Sequence, residues 1–491
     1  MHISSSLALL CSVAAVALAA PVEEEVNAKP LLRVPFKKVA KPNGHRLTKR
    51  DPFQSSLYND NGSQYLINVD IGTPAQNFSV ALDTGSADLW VPGTSCPTNT
   101  CPYAKYDSSK SSTFKNTNEQ FGIIYGSGSA NGTYVTDTVT VGGATVQNQQ
   151  FGLVTTTADI LTNQGSLGGG VGSSPSVTQN SGPVSDGIFG LGYPQLTAST
   201  SDGGQVYNPF VFNLVQNKVI ADPVFSIYLN TASATGNSGE IIFGGVDQSK
   251  YSGDLAYMPV AGLESGSDSN PLDSIFGGGS GNSQTYAYWM VYGQGFNVVN
   301  GLSSPNLTMS TTVPVILDTG TTLTYLPQRV AQEIVLSVAD QNDIKIDQSA
   351  GVYVVGCDVA NSNAQVQIQF SSSSKVSDTP ITFSVPVSQL VIPLDGNTPS
   401  SATQCIFGIA PSSGGSSSSS NLYLIGDSML RSAYMVFDMG QNRVGLAAAN
   451  GVGGTVNGIQ ASASAATSIV TSQPITMVLA TSIVAAALWL S

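Results

Sequence analysis

Two short segments of the chain place an aspartate on a tight turn directly behind an apolar strand. Residues 80–82 (Val-Ala-Leu) precede Asp83-Thr84-Gly85-Ser86, and residues 315–317 (Val-Ile-Leu) precede Asp318-Thr319-Gly320-Thr321. A single Asp-Thr-Gly is common in loops, where it can be purely structural. Two copies behind similar strands predict two carboxylates in equivalent surroundings.

The chemistry open to such a pair is acid–base catalysis. Two carboxylates about 3 Å apart cannot both ionise, so they share one proton. One carboxyl then acts as an acid and the other as a base, and a water held between them can attack a carbonyl group. The glycines let another backbone approach closely. The hydroxyls can bond the carboxylates or the opposite loop: Thr84, Ser86, Thr319 and Thr321.

Each Asp-Thr-Gly has a matching element further along the chain. These elements are Ile188-Phe189-Gly190 and Leu424-Ile425-Gly426. Asp83 and Gly190 are 107 positions apart, and Asp318 and Gly426 are 108 apart. The agreement predicts two related halves that bring the two aspartates together about a pseudo-twofold axis.

The elements that position these loops are predicted to be mainly β-strands. Alternating runs at 65–70, 135–141 and 365–370 are separated by Gly, Asn and Ser turns. Helical patterns are few and fall at 210–217 and 330–339. Gly/Ser-rich stretches indicate surface loops at 165–182, 262–284 and 412–420.

Composition excludes several classes of function. The chain has 491 residues, of which 41% are hydrophobic and 10% charged, so it can bury a sizeable core. A net charge of −13 argues against a nucleic-acid partner. The two histidines are His2 and His45. If the N-terminus is removed, Ser-His and Cys-His chemistry and imidazole-bound metals are excluded, and we expect no metal and no cofactor.

The N-terminus has the features of a processed leader. Residues 1–19 contain an apolar run and an Ala-Leu-Ala cleavage site, which predicts a secretory signal peptide rather than a buried helix. Residues 20–50 are basic and end in Lys49-Arg50, which predicts a pro-peptide cut by a dibasic-processing protease. The alternative is a solvated charge run. From Asp51 onward the net charge is 10 − 28 = −18, so the pro-peptide could plug an acidic cleft.

The C-terminus predicts a glycosylphosphatidylinositol (GPI) anchor. Residues 451–474 form a Ser/Ala/Gly-rich spacer, and 475–491 form an apolar tail with nothing basic after it. The candidate attachment residues are Ser462, Ala463 and Ser464. We therefore expect the protein at the extracellular face of the plasma membrane or in the cell wall. A membrane-spanning tail or a merely sticky one is the alternative.

Cysteines and sequons agree with secretion. Outside the leader the chain keeps Cys96, Cys101, Cys357 and Cys405, an even number that favours disulfides over a zinc site. Three pairings are possible, and the short spacing favours Cys96–Cys101, which leaves Cys357–Cys405. The candidate N-glycosylation sites are Asn61, Asn77, Asn131 and Asn306.

From Tyr65 to Ala448 the chain resembles the pepsin-like aspartic proteases, family A1. The resemblance is carried, in order, by YLINVDIGTPAQNFSVALDTGSADLWVP, IIYGSGSANG, DGIFGLGYP, EIIFGGVD, VILDTGTTLTYLP and LYLIGDSMLRSAYMVFDMGQNRVGLA. It implies an all-β, bilobal pepsin-like fold with a cleft between two pseudo-twofold-related, barrel-like lobes. The lobes would be 51–222 and 223–450. With the predicted anchor, the chain looks most like the fungal yapsin-like surface enzymes.

The resemblance also implies roles for single residues. Asp83 and Asp318 match the catalytic pair. The supporting positions are Thr84 and Thr319 as an interlock between lobes, Ser86 and Thr321 as partners of the outer carboxylate oxygens, and Gly85 and Gly320 as backbone facing the substrate. Tyr125, Gly126 and Ser127 match the tip of a flap, and Trp90 matches the partner of the flap tyrosine. Both disulfides fit the family.

Ordinary structural roles remain open at two of these positions. Tyr125 could be a plain strand aromatic and Trp90 a core aromatic. The chain departs from the usual pattern at Ser127, where many members carry Thr, and at Ala87 and Asp88, which replace a commoner polar pair.

These features together predict a secreted aspartic endopeptidase that hydrolyses peptide bonds in extended polypeptides. Because one chain supplies both loops, we expect a monomer rather than a retroviral-type homodimer. The alternative is a catalytically silent, wall-anchored binding or structural glycoprotein with the same fold.

Overall fold

The computed structural model describes most of the chain between Leu32 and Gln460. The described residues are 32–40, 63–162, 185–201, 204–234, 239–263, 285–348, 350–394, 396, 398–412 and 422–460. The predicted signal peptide, Asn61, the candidate attachment residues 462–464 and the apolar tail lie outside them. Within the described part of the chain, no helix is long and apolar enough to cross a bilayer.

Strands make up most of the described chain. In the first half they are β1 (Leu32–Ala40), β2 (Ser63–Ile71), β3 (Gln76–Asp83), β4 (Leu89–Pro92), β5 (Lys115–Tyr125), β6 (Gly128–Val141), β7 (Ala144–Ala158) and β8 (Gly187–Gly190). The later strands are β9 (Val224–Tyr228), β10 (Gly239–Phe243), β11 (Tyr251–Pro259), β12 (Met290–Val299), β13 (Asn306–Leu317), β14 (Thr324–Leu326), β15 (Lys345–Asp347), β16 (Val352–Val355), β17 (Gln365–Phe370), β18 (Ile381–Pro386), β19 (Val391–Pro393), β20 (Cys405–Phe407), β21 (Ile409–Pro411), β22 (Leu424–Ile425), β23 (Ala433–Asp438), β24 (Arg443–Ala449), β25 (Thr455–Val456) and β26 (Ile459–Gln460).

Helices are short, as the sequence predicts. They are α1 (Ala198–Ser201), α2 (Phe210–Gln216), α3 (Gln328–Leu336), α4 (Val387–Leu390) and α5 (Asp427–Leu430). The predictions at 210–217 and 330–339 are confirmed as α2 and α3. Helix α3 begins at Gln328, two residues earlier than predicted, with Pro327 at its N-cap. Proline is tolerated there because the first N–H groups of a helix have no partner within the helix.

The first half closes into a barrel within a sheet that also joins the two halves. In strand order this sheet is β11-β24-β23-β9-β10-β1-β2-β3-β8-β4-β7-β6-β5, and an additional β2–β6 pairing closes the ring. Strand β3 alternates in burial, with Phe78, Val80 and Leu82 facing the core. The mainly-β, bilobal prediction is confirmed.

The second half repeats the strand arrangement around its own Asp-Thr-Gly loop. Its main sheet has the order β21-β14-β22-β13-β12-β17-β18-β25-β26. Strand β13 pairs parallel with β22, which pairs antiparallel with β14. In the first half β3 pairs parallel with β8, which pairs antiparallel with β4. The predicted duplication is therefore visible as the same local topology.

Strand β1 lies inside the predicted pro-peptide, where the sequence pattern indicated no strand. Residues 32–36 pair with β10 and residues 37–40 pair with β2. Strand β1 thus inserts between the two halves of the sheet. Residues 32–39 contain two valines and a phenylalanine, which suit a strand, but the three basic residues among them made the segment look like a solvated charge run.

Both predicted disulfides are present. Cys96–Cys101 closes a short loop after β4, and Cys357–Cys405 joins a 3₁₀ turn at Cys357–Asn361 to β20. The separations between Cα atoms are 5.9 and 5.2 Å. Three of the candidate glycosylation residues, Asn77, Asn131 and Asn306, are exposed on strands, and their modification stays a prediction.

Candidate active site

Each Asp-Thr-Gly loop is held by the element that the sequence paired with it. Asp83 lies opposite Gly190 in the β3–β8 register, and the Leu191 amide donates to the Asp83 carbonyl at 2.8 Å. In the second half the Asp318 amide donates to the Ile425 carbonyl at 2.9 Å. A Cβ at Gly190 would lie 2.5 Å from the Asp88 amide nitrogen, so a larger residue would push the loop away.

The two loops interlock through their threonines. The Thr84 amide donates to Thr319 Oγ1 at 3.2 Å, and the Thr319 amide donates to Thr84 Oγ1 at 3.0 Å. Each hydroxyl then donates to a backbone carbonyl of the opposite strand, Thr84 to Leu317 at 2.8 Å and Thr319 to Leu82 at 3.4 Å. These reciprocal bonds fix the relative position of the two aspartates.

The two carboxylates have matching partners within their own loops. The Gly85 amide donates to Asp83 Oδ1 and the Gly320 amide donates to Asp318 Oδ1, both at 2.8 Å. On the other oxygen, Thr321 donates to Asp318 Oδ2 at 2.6 Å and Ser86 donates to Asp83 Oδ2. The two hydroxyls that the resemblance matched to the carboxylates, Ser86 and Thr321, therefore contact them. The Gly85 and Gly320 amides donate to the aspartates as well, and their predicted contact with the substrate stays a prediction.

Each carboxylate also faces the glycine of the opposite loop. A Cβ at Gly85 would lie 2.6 Å from Asp318 Cγ, and a Cβ at Gly320 would lie 2.6 Å from Asp83 Cγ. The aspartates are 6% and 7% exposed, which leaves only a narrow opening to solvent. Burial and the charge of Asp318 raise the pKa of the Asp83 carboxyl well above its usual range. The pair is thus poised to hold one proton.

The raised pKa predicts that stability depends on pH. The folded chain binds the Asp83 proton more tightly than the unfolded chain does. The contribution of this proton to the free energy of unfolding is therefore fully present below about pH 4, the usual pKa of an aspartate. It is lost as the pH rises through the folded-state pKa. We expect the Tm of the parent to fall over this interval, and the Tm of Asp83→Asn to fall less. Equal slopes of Tm against pH in the two proteins would contradict the shift.

A β-hairpin carries Tyr125 to the neighbourhood of the aspartates. Strands β5 and β6 pair up to Tyr125–Gly128, so Gly126 and Ser127 form the turn. Trp90 Nε1 donates to the Tyr125 hydroxyl at 2.9 Å. Burial and the nearby charge of Asp83 raise the pKa of Tyr125 well above its usual range. Trp90 is fully buried as well, so it combines a core position with contact to the hairpin.

Two residues near the site received no role from the sequence. Tyr288 packs against the cluster that contains Ile316, two residues before Asp318, and burial together with the charges of Asp318 and Asp83 raises the pKa of its phenol. Asp88 accepts hydrogen bonds from Tyr134, which lies on β6 of the hairpin, and from Tyr207. The sequence did mark Asp88, because it departs from the residue usual in the family at this position after the first Asp-Thr-Gly loop. Nothing in the sequence marked Tyr288 except that it precedes a tryptophan.

Comparison with known proteins defines the class of protein. The model of the eukaryotic aspartyl protease family matches residues 64–449. Mucorpepsin of Rhizomucor miehei is 34% identical over 78% of this chain and 78% of its own length. The acid protease of Saccharomycopsis fibuligera is 32% identical over 91% of this chain and 100% of its own length. Gastricsin of Homo sapiens is 30% identical over 78% of this chain and 81% of its own length.

The chain belongs to the eukaryotic aspartyl protease family, and within it to the pepsin-like group that the sequence resembles. It is an aspartic endopeptidase that acts on polypeptides. This confirms the predicted enzyme class and favours it over a silent glycoprotein with the same fold. The comparisons do not separate out the yapsin-like type, which stays a prediction.

Proposed function

We propose that the enzyme hydrolyses peptide bonds by activating one water between Asp83 and Asp318. The water loses a proton to the Asp318 carboxylate as its oxygen attacks the substrate carbonyl carbon. Asp83 donates its proton to the carbonyl oxygen, which gives a neutral tetrahedral diol. Asp318 then protonates the leaving nitrogen, and Asp83 recovers a proton from the diol as the C–N bond breaks.

One observation carries this proposal: the reciprocal Thr84–Thr319 interlock that turns each carboxylate toward the opposite glycine. The interlock supplies fixed geometry before substrate arrives, which lowers the entropic cost of reaching the transition state. The neutral hydroxyls of Ser86 and Thr321 stabilise the charged form without adding a cation. Burial of the pair supports proton sharing, since isolated charges are costly there.

The hairpin around Tyr125 is proposed to act as the flap over the bound substrate. Its tip residues Gly126 and Ser127 can contact an extended peptide through backbone groups and one hydroxyl. A Cβ at Gly126 would meet no atom within 4 Å, so there is open space beside the tip. In the second half, Tyr288 packs against the cluster that contains Ile316, on the strand that ends at the Asp318 loop, so each half has a tyrosine near its aspartate.

The enzyme is further proposed to be made as a secreted, monomeric precursor with a GPI anchor. The signal sequence, the dibasic pair Lys49-Arg50 and the apolar tail support this route. Strand β1 adds a structural argument, because it is part of the sheet between the halves and lies before the proposed cut. Cleavage after Arg50 would leave β1 without a covalent link to the body, with which its backbone pairs at β10 and β2.

Blocking the proposed cut tests activity and maturation together. We expect the secreted parent to begin at Asp51, to cleave a peptide library and to be inhibited by a statine-containing peptide. A Lys49→Ala/Arg50→Ala variant is expected to remain uncut and inactive, because β1 stays covalently attached. Terminal sequencing and mass analysis of the peptides measure both results. An uncut variant with parental activity would refute the role of the pro-peptide.

A phospholipase experiment on the same strain tests the anchor. Phosphatidylinositol-specific phospholipase C should release the parent from intact cells, whereas a chain that stops after Gln460 should already be in the medium. Retention of the parent in the detergent phase after treatment would indicate a spanning tail instead.

A further inference from the structure

Asp88 is a buried carboxylate that the proposed chemistry does not use. It is fully buried in the segment between the Asp83 loop and β4. The Tyr134 hydroxyl donates to it at 2.8 Å, the Tyr207 hydroxyl at 2.6 Å and the Ala198 amide at 2.8 Å. All three donors are neutral. Burial raises the pKa of the Asp88 carboxyl, and the three bonds lower it in part, because each of them stabilises the charged form.

The donors connect Asp88 to both strands of the flap hairpin. Tyr134 lies on β6, and its ring packs edge-on against Phe121 of β5 with 5.2 Å between the ring centroids. The Tyr134 hydroxyl also accepts from the Ser199 amide at 2.8 Å. Tyr207 packs edge-on against Tyr134 at 5.5 Å. The base of the hairpin is thus bonded to the segment that carries Asp83.

The same segment holds the tip of the hairpin. Trp90, two positions after Asp88, donates to the Tyr125 hydroxyl at 2.9 Å. Trp90, Phe121 and Tyr134 form one buried cluster, against which Tyr125 and Tyr207 pack. The segment from Asp83 to Trp90 therefore contacts the hairpin at two points, through Asp88 at its base and through Trp90 near its tip.

We propose that Asp88 is a positioning residue that fixes the base of the flap relative to Asp83, so that only the tip moves when substrate binds. This inference rests on the proposed function, since it takes the hairpin as the flap. Fixing the base restricts the hairpin to positions in which Tyr125 can close over the aspartates. Loss of the bond would leave the carboxyl pair intact and widen the range of flap positions, which slows the closure that commits the substrate.

Removing one hydroxyl tests the proposal with little change to packing. Tyr134→Phe keeps the ring against Phe121 and deletes the bond to Asp88 and the acceptor for Ser199. We expect kcat/KM per active site, counted by titration with a statine-containing peptide, to fall about tenfold, the equivalent of one net hydrogen bond. We also expect faster amide hydrogen exchange in peptides from the tip of the β5–β6 hairpin. Asp88→Asn keeps an acceptor for the tyrosines, and we expect it to lie between Tyr134→Phe and the parent in both measurements.

Tyr106→Phe is the matched control in the same lobe. Its hydroxyl donates to the buried Asp137 carboxylate, which lies on β6 just beyond the last residue paired with β5, Thr136. Its ring belongs to the main core rather than to the cluster of Trp90. We expect this variant to lower the Tm while kcat/KM per site and exchange at the hairpin tip stay parental. Parental kinetics and parental tip exchange in Tyr134→Phe would overturn the proposal. Hydrogen exchange can be measured on an inactive protein, so it tests the role of Asp88 by itself. If the proposed reaction is wrong, the parent enzyme will show no peptide hydrolysis, whatever the exchange result.

Discussion

Replacing either Asp83 or Asp318 with asparagine is expected to lower kcat/KM by about 10³–10⁴-fold, the full contribution of positioned acid–base groups. An amide can neither take a proton from water nor return one to the leaving nitrogen. Asparagine preserves size and an oxygen acceptor for the loop glycine, whose amide lies 2.8 Å from Oδ1. The loss should therefore appear in kcat while the variants remain folded. Progress curves on a single peptide substrate measure it.

Asp186→Asn supplies the comparison for this result. Asp186 is buried in the same lobe and accepts from the amides of Ser79 and Ala104 at 2.8 and 3.0 Å, outside the paired loops. We expect its folded fraction to keep the parental kcat/KM. If Asp83→Asn or Asp318→Asn retained activity near that of the parent, the paired-carboxyl mechanism would be wrong.

The second large effect is expected from adding one methyl group at Gly320. A Cβ there would overlap Asp83 Oδ1 and lie 2.6 Å from Asp83 Cγ. Asp83 cannot move aside, because Gly85 and Ser86 hold both of its oxygens. Gly320→Ala should separate the carboxyl groups and lower kcat/KM by about 10²-fold or more, the cost of a misplacement near 1 Å. Steady-state kinetics with active-site titration measure the loss.

Gly356→Ala controls for the added methyl group itself. Its Cβ would overlap Asp358 Oδ1, again an aspartate oxygen, but the Asp358 side chain is exposed and free to rotate. We expect parental kinetics and a small change in Tm. Equal losses in the two alanine variants, or no loss in Gly320→Ala, would show that close approach of the loops is unimportant.

The paired loops could be predicted because their signal is local and repeated. Asp83 and Asp318 each follow an apolar strand, and Gly190 and Gly426 recur at nearly equal intervals. A duplicated unit brings equivalent residues to a symmetry axis, so the carboxyl pair followed without knowledge of any long-range contact. The roles of the neighbouring hydroxyls came from the family resemblance, and the structure places these groups within hydrogen-bond distance.

The remaining contacts lacked such a signal. Asp88 and Tyr207 are 119 positions apart, and nothing in their local sequence marks them as partners. Strand β1 is composed of apolar and basic residues, and its pairing depends on two edges that exist only after both halves have folded. Tyr288 packs against the cluster of Ala261, Met290 and Ile316, and its distance in sequence from Ala261 and Ile316 hides these contacts. In each case tertiary structure, rather than local preference, decides the position.

The central claim is that Asp83 and Asp318 act as one pair that holds a single proton. The most direct measurement is the dependence of kcat/KM on pH for the parent enzyme. We predict a bell-shaped profile, because activity is lost when the pair gains a second proton at low pH and when it loses its only proton at high pH. The raised pKa of Asp83 places the upper limb above the usual range of a carboxyl group. A profile governed by a single ionisation would contradict the shared proton.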